Sequence, residues 1–515
     1  MREIQISTPA EYGFDENKLK KFLIEKGLMS FNETVFILKR SIDARSREIK
    51  THLKLKISEL SNSPESIFEP NYQAVHQQME IIIVGSGPAG LFAALKCLQL
   101  GIKPIILERG KEIRERRRDL AKLNKNGIVN PESNYCFGEG GAGTFSDGKL
   151  YTRSNKRGEV SEILNLLVYH GASPEILIDA HPHIGTNKLP QVIENIRKTI
   201  IEKGGEIFFN TKVTDLIIEN QTIKGVITSK SEKFYGKAVI LATGHSARDI
   251  YELLDRKKIL METKPFAMGI RIEHPQFLID QMQYHCKVRP EYLPPASYSW
   301  VESIQGRGVY SFCMCPGGII APCASQENEV VTNGWSPSRR NNPFSNSGIV
   351  VEIQPEDIPK EFKKYGVFSL LEFQKFIEKQ AFLAGGGFLK APAQRMIDFI
   401  QNKNSIDLPK CSYFPGLTAS NLKNWLPFII TDKLSKAFLK LKNKMKPYFT
   451  NEAVLVGVET RTSTPVRIPR NPVTCEHLEI ENLYPCGEGA GYAGGIVSAA
   501  IDGQKIVQKI KNKWA

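Results

Sequence analysis

Residues 80–110 read EIIIVGSGPAGLFAALKCLQLGIKPIILERG, and this stretch decides the fold. Ile81–Val84 is an unbroken apolar run, the mark of a strand buried on both faces. Gly85-Ser86-Gly87-Pro88-Ala89-Gly90 follows at once, and Leu91–Leu100 reads as a helix. A second strand, Pro104–Leu107, ends at Glu108 and Arg109. Each part has a physical task. Gly85 allows a tight turn, any side chain at Gly87 would block the approach of a pyrophosphate, and Gly90 lets the helix pack close to the strand. The helix opens at Pro88 and Ala89, and its free N–H groups and positive dipole end suit phosphates. Glu108 stands at the distance where a carboxylate accepts from ribose hydroxyls. The unit predicts dinucleotide binding. A glycine turn without function leaves Glu108 unaccounted for.

Three later segments specify the nucleotide. Lys237-Ala-Val-Ile-Leu-Ala-Thr-Gly244 reads as a strand ending in Ala242-Thr243-Gly244, and it resembles the second nucleotide motif of FAD-binding oxidoreductases. Glu206-Ile-Phe-Phe-Asn-Thr-Lys-Val213 resembles the strand whose valine, here Val213, meets the adenine through its backbone. Leu483-Tyr-Pro-Cys-Gly-Glu-Gly-Ala-Gly-Tyr-Ala-Gly-Gly-Ile496 precedes a helix running to the end of the sequence. It resembles the C-terminal flavin motif, with Gly487, Gly494, Gly495 and Ile496 in place and Glu488 where Asp is more usual. FAD is thus the expected cofactor. A helix beginning at Gly495-Ile496 would aim its positive end at the pyrimidine edge of the flavin. It would stabilise the negative charge of the reduced ring by about 1 kcal/mol or more.

Phe137-Gly-Glu-Gly-Gly-Ala-Gly-Thr-Phe-Ser-Asp-Gly-Lys-Leu150 predicts a glycine loop along the cofactor, with Gly143 in the loop and Thr144 and Ser146 as hydrogen-bond donors. Further on come Tyr310-Ser-Phe-Cys-Met-Cys-Pro-Gly-Gly318, Asn333-Gly334 and Gly457-Val-Glu-Thr-Arg461. Together these segments resemble a family of bacterial FAD-dependent dehydrogenases of undefined substrate, over nearly the whole chain. Trp335 departs from the pattern, which leads one to expect Met after the Asn-Gly pair. The resemblance implies an α/β fold with a discontinuous, Rossmann-like FAD-binding domain of the glutathione-reductase type. It also implies an inserted α+β substrate or cap domain and a small N-terminal α+β module. The expected limits are 1–75 for the module, 76–270 and 451–515 for the two parts of the FAD domain, and 271–450 for the insert.

The totals agree with this layout. A chain of 515 residues exceeds one domain. Apolar content of 41% and charged content of 24% are ordinary for a globular protein. No apolar run approaches the ~20 residues of a membrane span. The first residues lack an apolar signal core, so a cytoplasmic location is expected. In the module, FDENKLKKFLIEKG reads as a helix, and Thr34–Leu38 and HLKLKISEL read as strands; the polar SNSPESIFEPNY reads as a linker and residues 333–348 as a surface loop. The net charge of +14 comes from lysines spread along the chain, which favours a solvated surface over a nucleic-acid patch.

The nine cysteines are scattered, with no CxxC pair. Cys313 and Cys315 form a CxC, whose thiols share one face if the segment is a strand. Three readings stay open: buried core, a redox or substrate-contacting pair, and a metal site, the last weakened by the absence of paired knuckles. No metal is expected. Arg461 is a candidate for holding an anionic substrate or the flavin, against a structural salt bridge. His181, His183 and His245 are the histidines nearest the motifs. Arg114, Arg116, Arg117 and Arg118 are either a solvated helix face or contacts to phosphates. The helix after the first turn carries only Cys97, so the disulfide-reductase CxxxxC is absent; Ala384-Gly-Gly-Gly387 reads as a loop, so no resident NAD(P)H domain is expected. The expected function is an FAD-dependent oxidoreductase moving two electrons between flavin and a small organic substrate, with NAD(P)H as a candidate external reductant. The rivals are an RNA-modifying flavoprotein and a non-catalytic electron relay.

Overall fold

Ile81, Ile82 and Ile83 are fully buried, and the strand Glu80–Val84 sits at the centre of a five-stranded parallel sheet. It pairs with Lys103–Leu107 on one side and Ala238–Leu241 on the other. Glu206–Phe208 and Leu483–Pro485 complete the two edges. In the computed structural model, which describes residues 1–59, 68–76, 79–151 and 159–515, this sheet therefore unites strands from four distant parts of the chain. The helix Pro88–Gln99 follows the central strand, and the helix Ile496–Trp514 lies against it. Their approach is so close that a Cβ on Gly503 would lie 2.1 Å from the Ala89 carbonyl oxygen.

A second, seven-stranded sheet runs in the order 301–304, 307–315, 344–353, 266–275, 454–459, 391–395, 417–419. All its pairs are antiparallel except the last. Helices Ser369–Ala384 and Phe428–Lys444 pack against it. The limits expected at 270 and 451 cut this sheet. The first falls inside the strand Phe266–Pro275, and the second assigns Val454–Glu459 to the nucleotide part although that strand pairs with Phe266–Pro275. An apolar run such as Val454–Val458 reads alike in either sheet; only pairing distinguishes them.

Other expectations shift for local reasons. Glu206–Val213 is not one strand: Asn210 takes a left-handed φ of 51°, and Val213 opens a separate antiparallel sheet of residues 213–219, 222–228 and 233–235. The loop expected over 333–348 is shorter, because Thr332–Trp335 and Phe344–Ile353 are strands. Gly385–Gly387 forms a turn after the helix Ser369–Ala384, as expected.

The N-terminal unit has the helix Glu16–Glu25, capped by the Asp15 side chain accepting from Lys18 N at 3.0 Å. It covers an antiparallel sheet ordered 2–9, 50–59, 33–43. Leu19 and Leu23 of the helix meet Leu53, Leu55 and Ile57 of the alternating strand. Arg2–Pro9, whose strand the sequence reading omitted, forms an edge. Residues 61–67 of the expected linker, and so part of the module's boundary, lie outside the described residues.

Candidate functional site

Four glycine-bearing segments converge at the C-terminal end of the parallel sheet. Gly85 has a φ of 105°, and its missing Cβ would lie 2.5 Å from the Ala242 carbonyl oxygen. Gly90 would strike the Gly85 oxygen at 1.9 Å, so the helix–strand packing requires glycine there. The loop Gly138–Ser146 crosses the same mouth. Gly141 would meet the Gly87 Cα at 2.9 Å, and Gly143 would meet Ile496 at 3.1 Å. Gly489 touches Gly244 in the same way. The structure thus brings together Gly85–Gly90, Gly143, Ala242–Gly244 and Gly487–Ile496, which lie far apart in sequence. Val213 sits beside them: Thr211 N donates to Glu108 O and Asn210 N to Gly110 O, just before its strand begins.

Several expected donors and acceptors are committed within the protein. Glu108 accepts from Ser86 N and Ser86 Oγ through one oxygen, and from Gly110 N and Gly138 N through the other. It ties the first glycine turn to the glycine loop. Arg109 pairs with Glu132 at 2.6 Å and Asp249 at 2.8 Å and stacks on Phe137. Thr144 Oγ1 donates to Glu139 O, and Ser146 Oγ donates to Gly143 O and accepts from Gly148 N. These hydroxyls shape their own loop.

Two pieces of this scaffold escaped the sequence reading. Arg116 is fully buried and donates to the carbonyls of Asn134, Tyr135, Gly138 and Glu139, while Arg114, Arg117 and Arg118 are exposed. The arginine run is therefore a solvated face with one member turned inward, and a helical-wheel count against Ile113 and Leu120 could have separated it. Asp502, on the last helix, accepts from Gly487 N at 2.8 Å and forms a two-point pair with Arg470. That pair fixes the C-terminal glycine turn to its own helix.

Where the glycine loop faces the strand pair Ile319–Pro322 and Thr332–Trp335 and the end of Val454–Glu459, a small pocket of ≈ 30 Å³ opens, lined by Tyr135, Cys136, Ser146, His245, Trp335 and Arg461 among others. Behind it lies a buried ionic cluster. Arg461 bonds Glu378 through Nε and Nη2, Glu329 through Nη2, and Ser325 through Nη1. Arg248 bonds the same two glutamates at 2.7 Å each. Burial alone would raise the Glu378 carboxyl, but the two guanidiniums hold it below the usual range. The donors of Arg461 are filled by this cluster, which is the salt-bridge alternative for that residue, although the side chain also borders the pocket.

Burial and the nearby Arg461 and Arg248 push His245 down to about 4, so it is neutral at pH 7. Its Nε2 lies 3.8 Å from Glu488, whose carboxyl burial raises. His181 is exposed and stacks edge-on with Tyr151, while His183 bonds the Ser338 carbonyl. Neither lines the pocket. Trp335 does line it, so the departure from the family pattern falls on a wall of the cavity.

Cys313 and Cys315 end the strand Arg307–Cys315, but not in regular alternation. A bulge separates Phe312 from Cys315, and Cys313 has a left-handed φ of 46°. Both sulfurs still face one cation, Lys149 Nζ, at 3.7 Å each. Lys149 also donates to Met314 O. Arg271, fully buried, pairs with Glu459 at 2.8 Å and reaches Cys313 O at 3.4 Å. No group of three or more metal-ligating side chains occurs among the described residues.

The cradle fits a dinucleotide. A Cβ on Gly244, Gly494 or Gly495 would meet no heavy atom within 4 Å, and one on Gly87 only the Gly141 Cα at 3.8 Å. Four glycines from three segments thus border open space. The Thr243 hydroxyl is buried there without a partner.

Comparison with known proteins agrees. Residues 265–462 match the family model of the FAD-dependent protein, C-terminal domain-like, and residues 191–269 match that of glucose inhibited division protein A. Residues 1–58 match a domain of unknown function. An uncharacterized protein of Clostridium beijerinckii is 40% identical, over 97% of each chain. The chain belongs to this family of FAD-dependent proteins. FAD is its cofactor. The flavoprotein is also 28% identical to the tRNA uridine 5-carboxymethylaminomethyl modification enzyme MnmG of Alkaliphilus metalliredigens, over 32% of this chain and 24% of that one. Among solved structures, glycine oxidase of Bacillus cereus aligns over 85% of the flavoprotein and 96% of its own chain, at 14% identity and a TM-score of 0.31. No helix among the described residues is long and apolar enough to cross a membrane.

Proposed function

We propose that the protein is an FAD-dependent oxidoreductase of the glutathione-reductase-like type, acting on a small organic substrate at the mouth of the cradle, where the glycine loop faces Thr332–Trp335 and the end of Val454–Glu459. The observation that carries this reading is the open glycine cradle with titratable groups beside it: Gly87, Gly244, Gly494 and Gly495 border free space, and His245, Glu459 and Arg461 line the small pocket that adjoins it. FAD, when bound, supplies two-electron chemistry. The chain would hold it through the Gly85–Gly90 turn, Val213, the Ala242–Gly244 turn and the Gly487–Ile496 turn. The N–H groups of Ala89 and Gly90 open a helix and have no acceptor within it, so they suit phosphate oxygens. The N-terminus of the helix Ile496–Trp514 offers a positive dipole end to developing negative charge. His245, kept neutral by burial and the two guanidiniums, offers an uncharged ring nitrogen for hydrogen bonding, and Glu459, raised to about 7 by burial, is able to hold or release a proton near pH 7. The Arg248–Glu329–Arg461–Glu378 cluster keeps this wall rigid and without net charge.

Anaerobic reduction of the yellow protein tests the reading. NADH, NADPH and a panel of amines, alcohols and hydroxy acids would be mixed with it, followed by a quinone or enoyl acceptor. Bleaching near 450 nm followed by recovery supports an oxidoreductase. A flavin that no organic donor reduces and no acceptor reoxidises would favour a relay. A second reading, action on transfer RNA, draws on the 28% identity to the tRNA uridine 5-carboxymethylaminomethyl modification enzyme over 32% of the chain. Salt-dependent filter retention of bulk transfer RNA would support it, since phosphate contacts release counterions.

A further inference from the structure

The glycine loop that adjoins the cradle also delivers Lys149 to the two cysteines of the second sheet. One ammonium lies 3.7 Å from each sulfur, so the sulfurs are no farther apart than about twice that distance. The Cys315 thiol points back to the Cys313 carbonyl oxygen at 3.4 Å. The two sulfurs differ in access: Cys313 is partly exposed, whereas Cys315 is buried. Cys313 also holds a left-handed backbone that side chains seldom adopt, a form of strain found at reactive positions. Two cations face the pair, Lys149 and Arg271. Two acids stand near these cations: Asp147, held by Arg340 at 3.0 Å, reaches Lys149 only at 4.0 Å and opposes its pull on Cys313, and Glu459 pairs with Arg271.

We propose that Cys313 and Cys315 are a thiol–disulfide exchange pair for small-molecule disulfides, with Cys313 attacking, Cys315 resolving, and Lys149 holding the attacking sulfur as a thiolate. The electrostatics agree in direction. The hydrogen bond with Cys315, then Lys149 and Arg271, pull Cys313 down against its burial, while Cys315 is pushed up. One proton is thus retained by the buried thiol. In the first step the Cys313 thiolate attacks one sulfur of R–S–S–R; a Cys313–S–R bond forms and R–S⁻ leaves. Cys315 then gives its proton to that thiolate, and its sulfur displaces a second R–S⁻ from Cys313, which takes a proton from water. The pair loses two electrons to become a disulfide, and the substrate gains them as two thiols. The exchange goes beyond the FAD-dependent reading and uses only these side chains. Neither Cys97 nor any cysteine of the first helix takes part, so it differs from a CxxxxC arrangement.

The test uses the full-length holoprotein, reduced, desalted and mixed anaerobically with bis(2-hydroxyethyl) disulfide, followed by peptide mapping. The wild-type peptide carrying both residues should become two hydrogens lighter, without adduct. Cys315→Ser should stop with mercaptoethanol attached to Cys313, and Cys313→Ser should leave Cys315 unreacted. Lys149→Met should slow iodoacetamide labelling of Cys313 at pH 7 by about ten-fold, the thiolate fraction lost for a shift of one unit, and Lys149→Arg should restore most of it. The proposal is overturned if the wild-type peptide stays reduced, or if Cys313 labels no faster than the partly exposed Cys136, Cys286 and Cys411. A flavin that cycles with organic donors beside an inert pair would reject the exchange alone. An active pair beside a flavin that no donor reduces would reject the oxidoreductase reading alone.

Discussion

A methyl group at position 87 would meet nothing nearer than the Gly141 Cα at 3.8 Å, so the apoprotein has room for it. Gly87→Val is therefore expected to fold, with an unchanged circular dichroism spectrum, and to purify colourless, because the side chain fills space left for the pyrophosphate. His274 gives a second test at this scale. It is fully buried, hydrogen-bonds the Tyr448 carbonyl through Nε2 at 2.8 Å, and is pushed down from 6.5 to about 4 by burial. A depressed histidine stabilises fully above its unfolded value and loses that contribution as pH falls from 6.5 toward 4. His274→Gln keeps a donor but does not titrate. Its unfolding free energy from urea melts should fall less across that window than that of the wild type, by a difference on the order of 3 kcal/mol. Residue types were legible in the sequence; their partners were not. Glu108 was found by its distance from the glycine turn, yet its four protein donors come partly from Gly138, in a loop that no local pattern ties to it. A salt bridge was one of the two readings of Arg461, but its acids, like Asp249 for Arg109, lie too far along the chain to be named from sequence.

Elements behaved as their periodicity foretold where a single face or a continuous core set the pattern. The central strand, the Pro88–Gln99 helix and the final helix all stand where apolar spacing put them. The misses arose where one residue broke the regular backbone: Asn210 split the expected strand at 206–213, and the bulge at Cys313 broke alternation. Between helices, contact is set by backbone approach. Gly503→Leu should force the helices 88–99 and 496–514 apart, since even a Cβ would sit 2.1 Å from the Ala89 oxygen. A loss of about 1–3 kcal/mol in urea melts is expected, together with a lower flavin-to-protein ratio. Arg116→Met keeps the stem of the side chain but leaves buried carbonyls of the glycine loop without donors. It should cost about 3 kcal/mol or more, and added FAD should recover part of the loss by binding only the folded form.

At the scale of the whole molecule, the sequence conveyed an α/β chain in several parts, but the limits expected at 270 and 451 cut through the second sheet. Strands at 266–275 and 454–459 flank the insertion and pair with each other across it. That pairing is a long-range fact, invisible to a window of a dozen residues. The parallel sheet has the same character, and this bears on how the protein comes to be made. Its central strand leaves the ribosome about 400 residues before the edge strand Leu483–Pro485 and the helix Ile496–Trp514. At ~5–20 residues per second, roughly 20–80 s separate the two. Throughout that interval the Pro88–Gln99 helix lacks the neighbour that covers it, and once made, the Ala238–Leu241 strand keeps an open edge until residue 483. Nascent chains paused before residue 483 should remain sensitive to protease and take up no flavin, and cofactor loading should wait until residues 483–514 have emerged.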